Sequence, residues 1–165
     1  FNSTGINQII AEAGIAIGSM YKHYQSKNDL LYHYLQNEEL EYFNNLESFL
    51  KNEEQPVQRL LKLIDYRIQI QQKADYSGCH FIKINAEIGR QDKRVEQLVV
   101  EHKWKQREYI DKIITEISLV QDLPMEKGSL VNSVFLMMEG AVVSSGIHGN
   151  TEDLKAIRTV INQLF

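Results

Sequence analysis

Ile17, Ser19, Tyr21, Lys22 and His23 fall within seven consecutive residues, and their side chains suit contact with a base-paired surface. The hydroxyl, ammonium and imidazole groups can donate to phosphate oxygens or base edges, and an exposed isoleucine matches a thymine methyl. Ala16 precedes them at the start of the segment. Lys27 follows, beside the free N–H groups of the next helix start, where a backbone phosphate can sit. Thr4 is counted with this set of DNA contacts. A second chemical candidate is Cys79 with His80, a thiol at the start of a short helix. A third is the pair His102 and Gln106. Both are polar residues on the line Val95–Val99–His102–Gln106–Tyr109–Ile113, where packing alone favours aliphatics. Tyr66 and Trp104 are candidates to line a ligand cavity beside that pair.

The elements that must position these groups are all helical. Ile6, Ile9 and Ile10 repeat at i, i+3, i+4, with Thr4 or Gly5 as N-cap, and Ala13-Gly14-Ile15 breaks the repeat. A second helix is expected over 16–24, with Met20 and Tyr24 facing inward. Two short helices joined by a glycine turn describe a helix-turn-helix, whose second helix enters a major groove. Ser26-x-x-Asp29 is a capping box, so a long helix starts near Lys27 and runs to about Lys51. With no flexible linker between, movement of the body is expected to reach the head as rigid-body motion. Pro56 suits the first turn of the next helix, which Asp75-Tyr76-Ser77-Gly78 ends. A short helix over 79–88, a long one capped by Asp92, one over 128–147 and a last one capped by Thr151 complete the chain.

The string IIAEAGIAIGSMYKHYQSKNDLL resembles the DNA-binding signature of the TetR family of one-component transcriptional repressors. It has the Ala13-Gly14-Ile15 turn, Gly18-Ser19-Met20-Tyr21, His23-Tyr24 and the closing Ser26-Lys27-x-x-Leu30-Leu31. The resemblance implies an all-α protein: a helix-turn-helix DNA-binding domain over 1–31 and a helical-bundle domain over 32–165 for ligand binding and dimerisation. It implies that Ser19, Tyr21, His23 and Lys27 touch DNA. It also implies a further helix before Phe1, ending in a Gly-aromatic pair of which Phe1 is the aromatic. Gly78-Cys79-x-x-x-Lys83-x-x-Ala86-Glu87-Ile88 is similar to the N-ethylmaleimide-responsive branch of the family, in which this cysteine reacts with electrophiles and oxidants. The expected partners are a palindromic double-stranded operator, a small-molecule inducer or thiol-reactive signal, and a second copy of the chain.

A two-fold dimer needs a self-complementary interface. Gly140, Ala141, Ser144 and Ser145 permit close helix approach, and Leu154, Ile157 and Ile161 need a partner. These seven residues are therefore the expected interface, in agreement with the family's pattern of dimerising through its last two helices.

Composition bounds the rest. The 165 residues are 43% hydrophobic and 24% charged, the profile of an ordinary soluble chain. A single cysteine allows no internal disulfide and suits a reducing cytoplasm. No uninterrupted apolar run of membrane-span length is present, so no membrane association is expected. The net charge of −4 argues against indiscriminate nucleic-acid binding. The first 35 residues set Lys22 and Lys27 against Glu12 and Asp29, a weak basic balance for a DNA-binding head. That balance keeps open an alternative, a helical ligand- or partner-binding bundle that no longer binds DNA. No metal-binding, phosphate-loop or nucleophile-elbow motif appears. No cofactor and no enzymatic activity are expected, a Cys79–His80 or Cys79–His102 enzyme being the weakest alternative.

Overall fold

The computed structural model describes residues 1–165 and contains eight α-helices and one π-helical turn. In chain order these are α1 (Ile6–Ala13), α2 (Ile17–His23), α3 (Lys27–Leu50), α4 (Pro56–Lys73), α5 (His80–Ile84), the π turn (Asn85–Gly89), α6 (Lys93–Ser118), α7 (Lys127–His148) and α8 (Glu152–Leu164). Two compact units emerge. The first comprises Phe1–Tyr42 with Phe81–Glu101, the second Phe43–His80 with His102–Phe165. The chain passes between them inside α3, just after His80, and inside α6. Beside the N-terminal segment, the first unit contains most of α5, the π turn and the start of α6.

In the first unit, Gly14 ends α1 in the left-handed conformation at φ 65°. Only a residue without Cβ takes that corner cheaply, and the turn lays α2 against α1. Ile10 and Met20 are buried at the centre of the pair, while Tyr24 is half-buried and tilts against the His33 ring at 5.6 Å. The α3 cap forms as the sequence predicts. Ser26 Oγ accepts the Asp29 N–H at 3.0 Å, and Asp29 Oδ2 accepts the Gln25 N–H at 3.1 Å. The expected helix over 79–88 is shorter and irregular: α5 begins at His80 and widens into the π turn at Asn85. Gly89 closes that turn where an added Cβ would collide with the Asn85 side chain. Asp92 caps α6 by accepting the Arg94 N–H at 3.0 Å.

The second unit is a bundle in which α4, α7 and α8 pack on one another. Pro56 starts α4, where a missing N–H costs nothing. Glu126 caps α7, its carboxylate accepting the N–H groups of Gly128 and Ser129 at 2.8 and 2.6 Å. Thr151 holds the N-cap position of α8 but its side chain makes no capping bond; Asn150 Oδ1 takes the Glu152 N–H instead, at 3.0 Å.

α7 is long and apolar enough to cross a membrane by length and composition, although the sequence offers no uninterrupted apolar run. Leu130, Val131, Val134, Phe135, Met138, Ala141, Val142 and Ser145 are buried within the protomer. An inward face this apolar accounts for much of the composition, as a core helix requires.

Most of the expected dimer residues are buried within the protomer. Leu154, Ile157 and Ile161 are buried inside the protomer at 0, 9 and 0% exposure, on a helix packed against α4 and α7. Ala141 and Ser145 are buried as well. The Ser145 hydroxyl donates to the Asn150 carbonyl and the Ser144 hydroxyl to the Asp153 carboxylate, so both serines hold the α7–α8 corner. Of the seven, Gly140 remains on an exposed face, and Ser144 is half-exposed.

Candidate functional site

α2 carries the first set of candidate groups. With Met20 turned inward, the remaining surface of this short helix is left to solvent. Ile17 and Tyr21 are 54% and 50% exposed, and Ala16, Ser19, Lys22 and His23 are exposed too. Ile17 and Tyr21, one helical turn apart, form a small exposed apolar pair on this helix. The face offers one aliphatic, two hydroxyls, one ammonium and one imidazole.

Thr4 and Lys27 lie elsewhere. The Thr4 N–H closes a turn on the Phe1 carbonyl at 3.1 Å, and Gly5, not Thr4, is the α1 N-cap. The Lys27 ammonium donates to the Phe1 carbonyl at 2.6 Å and lies 3.9 Å from the Phe1 ring centroid. It is engaged with the chain's first residue rather than extended into solvent.

In the second unit, the chain brings several polar groups together where the bundle would otherwise be apolar. Glu139 on α7 pairs with Arg67 on α4 at 2.7 Å and with Lys103 on α6 at 2.6 Å. Lys103 Nζ is 3.4 Å from Cys79 Sγ and 3.3 Å from Gln106 Oε1. That contact orients the Gln106 amide, whose nitrogen donates to His102 Nε2 at 2.9 Å. A neutral His102 therefore carries its proton on Nδ1. Gln71, one turn after Arg67, clamps the loop before α5. It accepts the Gly78 N–H at 3.0 Å and donates to the Gly78 carbonyl at 3.2 Å. The loop needs such a hold, because Asp75 and Tyr76 adopt φ of 48° and 55°, in the left-handed region that side chains disfavour.

His102 is 1% exposed and lies edge-on to the Phe43 ring at 5.6 Å. Burial pushes its pKa down to about 3, and the nearby Lys103, Arg67 and Lys105 charges act in the same direction. A histidine that stays neutral when folded but protonates when unfolded lowers stability as pH falls from about 6.5 towards 3. The slope this single group can add is at most about 1.4 kcal/mol per pH unit. His102→Gln is expected to flatten the pH dependence of urea midpoints between about pH 6.5 and 4. Unchanged pH dependence in that variant would contradict the burial of a neutral imidazole.

The other candidates part from this cluster. Trp104 is 63% exposed, with the Arg107 guanidinium 5.5 Å from its ring, and it does not face the interior. Tyr66 is buried but lies tilted against the Phe49 ring at 5.6 Å. His80 is exposed and contacts Ser77 Oγ at 3.1 Å. An open groove of about 440 Å³ lies between the expected helices, at the ends marked by Glu47, Leu50, Arg59 and Tyr109 rather than at His102.

Sequence reasoning missed Arg67, Gln71, Lys103 and Glu139. The signal was present on α4, where Leu60, Ile64, Arg67 and Gln71 follow the helical repeat, so the last two are buried polar residues in the core stripe.

The profile of "Bacterial regulatory proteins, tetR family" matches residues 1–34, the segment that contains α1, α2 and the first turns of α3. Residues 1–34 are thus similar to the head of tetR-family regulators. Solved structures extend the fold comparison over the whole chain. A TetR-family transcriptional regulator from Agrobacterium tumefaciens is similar with a TM-score of 0.86 at 20% identity, covering 99% of this chain and 87% of that one. The regulatory protein TetR from Rhodobacter sphaeroides gives 0.85 at 15% identity, covering 99% and 89%. Reduced Escherichia coli NemR gives 0.82 at 16% identity, covering 99% and 87%. No curated protein matches the sequence. The chain thus has the all-α fold of TetR-family regulators, and the segment that matches the family's profile lies at its N-terminal end.

Proposed function

We propose that the protein is a dimeric, DNA-binding transcriptional repressor that leaves a palindromic operator when an inducer or a thiol-reactive signal arrives. The observation that carries this reading is the exposed face of α2 in a tetR-family head: Ile17, Ser19, Tyr21, Lys22 and His23 on one short helix. A second helix held at its base by Met20 and projecting such a face is what a major groove accepts. A regulator of this kind, with one cysteine, works in the reducing cytoplasm.

The contacts divide by chemistry. Tyr21 and Lys22 hold phosphates, Ile17 reads a base, and Lys27 steadies the head through Phe1. Lys22→Ala is expected to weaken binding to every sequence alike and to reduce the salt slope by about one ion. Ile17→Ala should lower discrimination at one symmetric pair of base positions by about 1–3 kcal/mol. Affinity measured at four salt concentrations separates the two. A Lys22→Ala protein with wild-type affinity and slope would refute this docking.

The sensor reading rests on Cys79, whose sulfur is half-buried 3.4 Å from the Lys103 ammonium. NemR, a structural relative, has been solved in a form described as reduced. The rival reading, a bundle that no longer binds DNA, predicts no salt-dependent affinity for any duplex.

A further inference from the structure

The corner where α2 passes into α3 is held by one carboxylate. Asp29 lies in the first turn of α3, with its side chain only 17% exposed. One of its oxygens accepts the Gln25 N–H, the residue that follows the α2 cap Tyr24. The other faces Arg94 Nη1 at 3.2 Å and His33 Nε2 at 3.9 Å. The Gln25 N–H, the largest contribution, and then the Arg94 hydrogen bond hold the Asp29 pKa below its ordinary value.

Arg94 belongs to the first turn of α6, far from α2 in sequence but within the same compact unit. The Arg94 side chain is 53% exposed, and its guanidinium has two further neighbours. Asp92, the α6 cap, lies 3.5 Å from Nη2, and the Tyr32 ring centroid is 5.0 Å from the guanidinium carbon. A fork held by Asp92, Tyr32 and Asp29 defines one geometry, which a flexible lysine defines less well.

We propose that Arg94 is a positioning residue for DNA binding: through Asp29 it sets the angle at which α2 leaves the head. This rests on the DNA-binding reading above and adds a residue outside the helix-turn-helix. Arg94 does not touch DNA. It acts by fixing the α2–α3 corner, so its loss broadens the range of α2 orientations and lowers affinity without removing a phosphate contact. Further along, the same helix carries Lys103 and Gln106 of the polar cluster.

The test uses the full chain and the duplex that the wild-type protein enriches from a random-sequence library. Arg94→Gln and Asp29→Asn are each expected to weaken binding about three- to tenfold, with the salt slope unchanged. Asparagine can still accept the Gln25 N–H, but its NH2 then faces the Arg94 donor, so Asp29→Asn removes the Arg94 contact and keeps the Gln25 one. Because the two residues act through one contact, the double variant should lose no more than either single one. Arg94→Lys should recover part of the affinity, and circular dichroism should show wild-type helicity throughout. Wild-type affinity in Arg94→Gln would overturn the proposal. So would a slope reduced by about one ion, which would make Arg94 a phosphate contact, or additive losses in the double variant. If the wild type enriches no duplex, the DNA-binding reading itself fails, a result distinct from enrichment with an indifferent Arg94.

Discussion

Val143→Glu is expected to convert the protein into a folded 19.2 kDa monomer that no longer holds its operator. α7 exposes Leu136 at 62%, Val143 at 46% and Ile147 at 72%, and these share a face with Gly140 at helical spacing. An added Cβ on Gly140 meets nothing within 4 Å, so the helix surface there is open to close approach. α8 adds Val160, 44% exposed. A contiguous apolar strip on the outside of a protomer marks an interface. α7 is apolar on both sides, one face packed inside the protomer and the other the proposed dimer face. In an isologous interface each substitution occurs twice, so Val143→Glu would bury two uncompensated carboxylates. The dimer is expected to weaken at least about a hundredfold, roughly 2.7 kcal/mol, and operator affinity with it. Gly140→Trp should act similarly by bulk. Sedimentation of both variants beside a far-UV spectrum decides the matter. Dimers of unchanged strength would locate the interface on another surface.

Alkylation of Cys79 is expected to release DNA. N-ethylmaleimide forms a bond from Sγ to one alkene carbon, and the other alkene carbon takes a proton, so nothing is expelled. The adduct must fit where Sγ already neighbours Lys103, on a loop clamped by Gln71. That loop also rests on α7: a Cβ at Gly146 would lie 3.4 Å from Gly78 Cα and 3.5 Å from the Tyr76 carbonyl. The adduct therefore displaces Lys103 from Glu139, or lifts the loop from Gly146. Either change reaches α7, the helix that carries the proposed dimer face. An adduct releases DNA only if it favours the arrangement that cannot span two half-sites. Operator affinity of the wild type should fall at least about tenfold on treatment, while Cys79→Ser binds normally and does not respond. A wild-type response in Cys79→Ser would end the sensor reading.

Local chemistry was legible in the sequence. Gly14, Ser26 with Asp29, Pro56 and Asp92 each act within a few residues, and each forms the corner or cap that its type predicts. The stripe through His102 and Gln106 was legible because period alone tells which residues are inside. Period does not tell what they pack against. Leu154, Ile157 and Ile161 read as an apolar stripe in need of a partner, and the partner is the chain's own α4 and α7. Nor does residue type fix a long side chain's direction. Lys27 turns to Phe1, and Trp104 turns outward beneath Arg107. Contacts across long sequence distance, such as Arg94 with Asp29 or Glu139 with Arg67, have no local signature at all. These contacts define the polar cluster and the extent of the first unit.

The most direct test of the central claim is selection of duplexes from a random-sequence library by the full chain, followed by affinity measurement at several salt concentrations. The expected result is enrichment of an inverted repeat whose half-sites lie about one helical turn or a multiple apart, bound by an even number of protomers. Affinity for that duplex should fall steeply with salt, and Lys22→Ala should make the fall shallower. Failure to enrich any sequence, or affinity indifferent to salt, would contradict it.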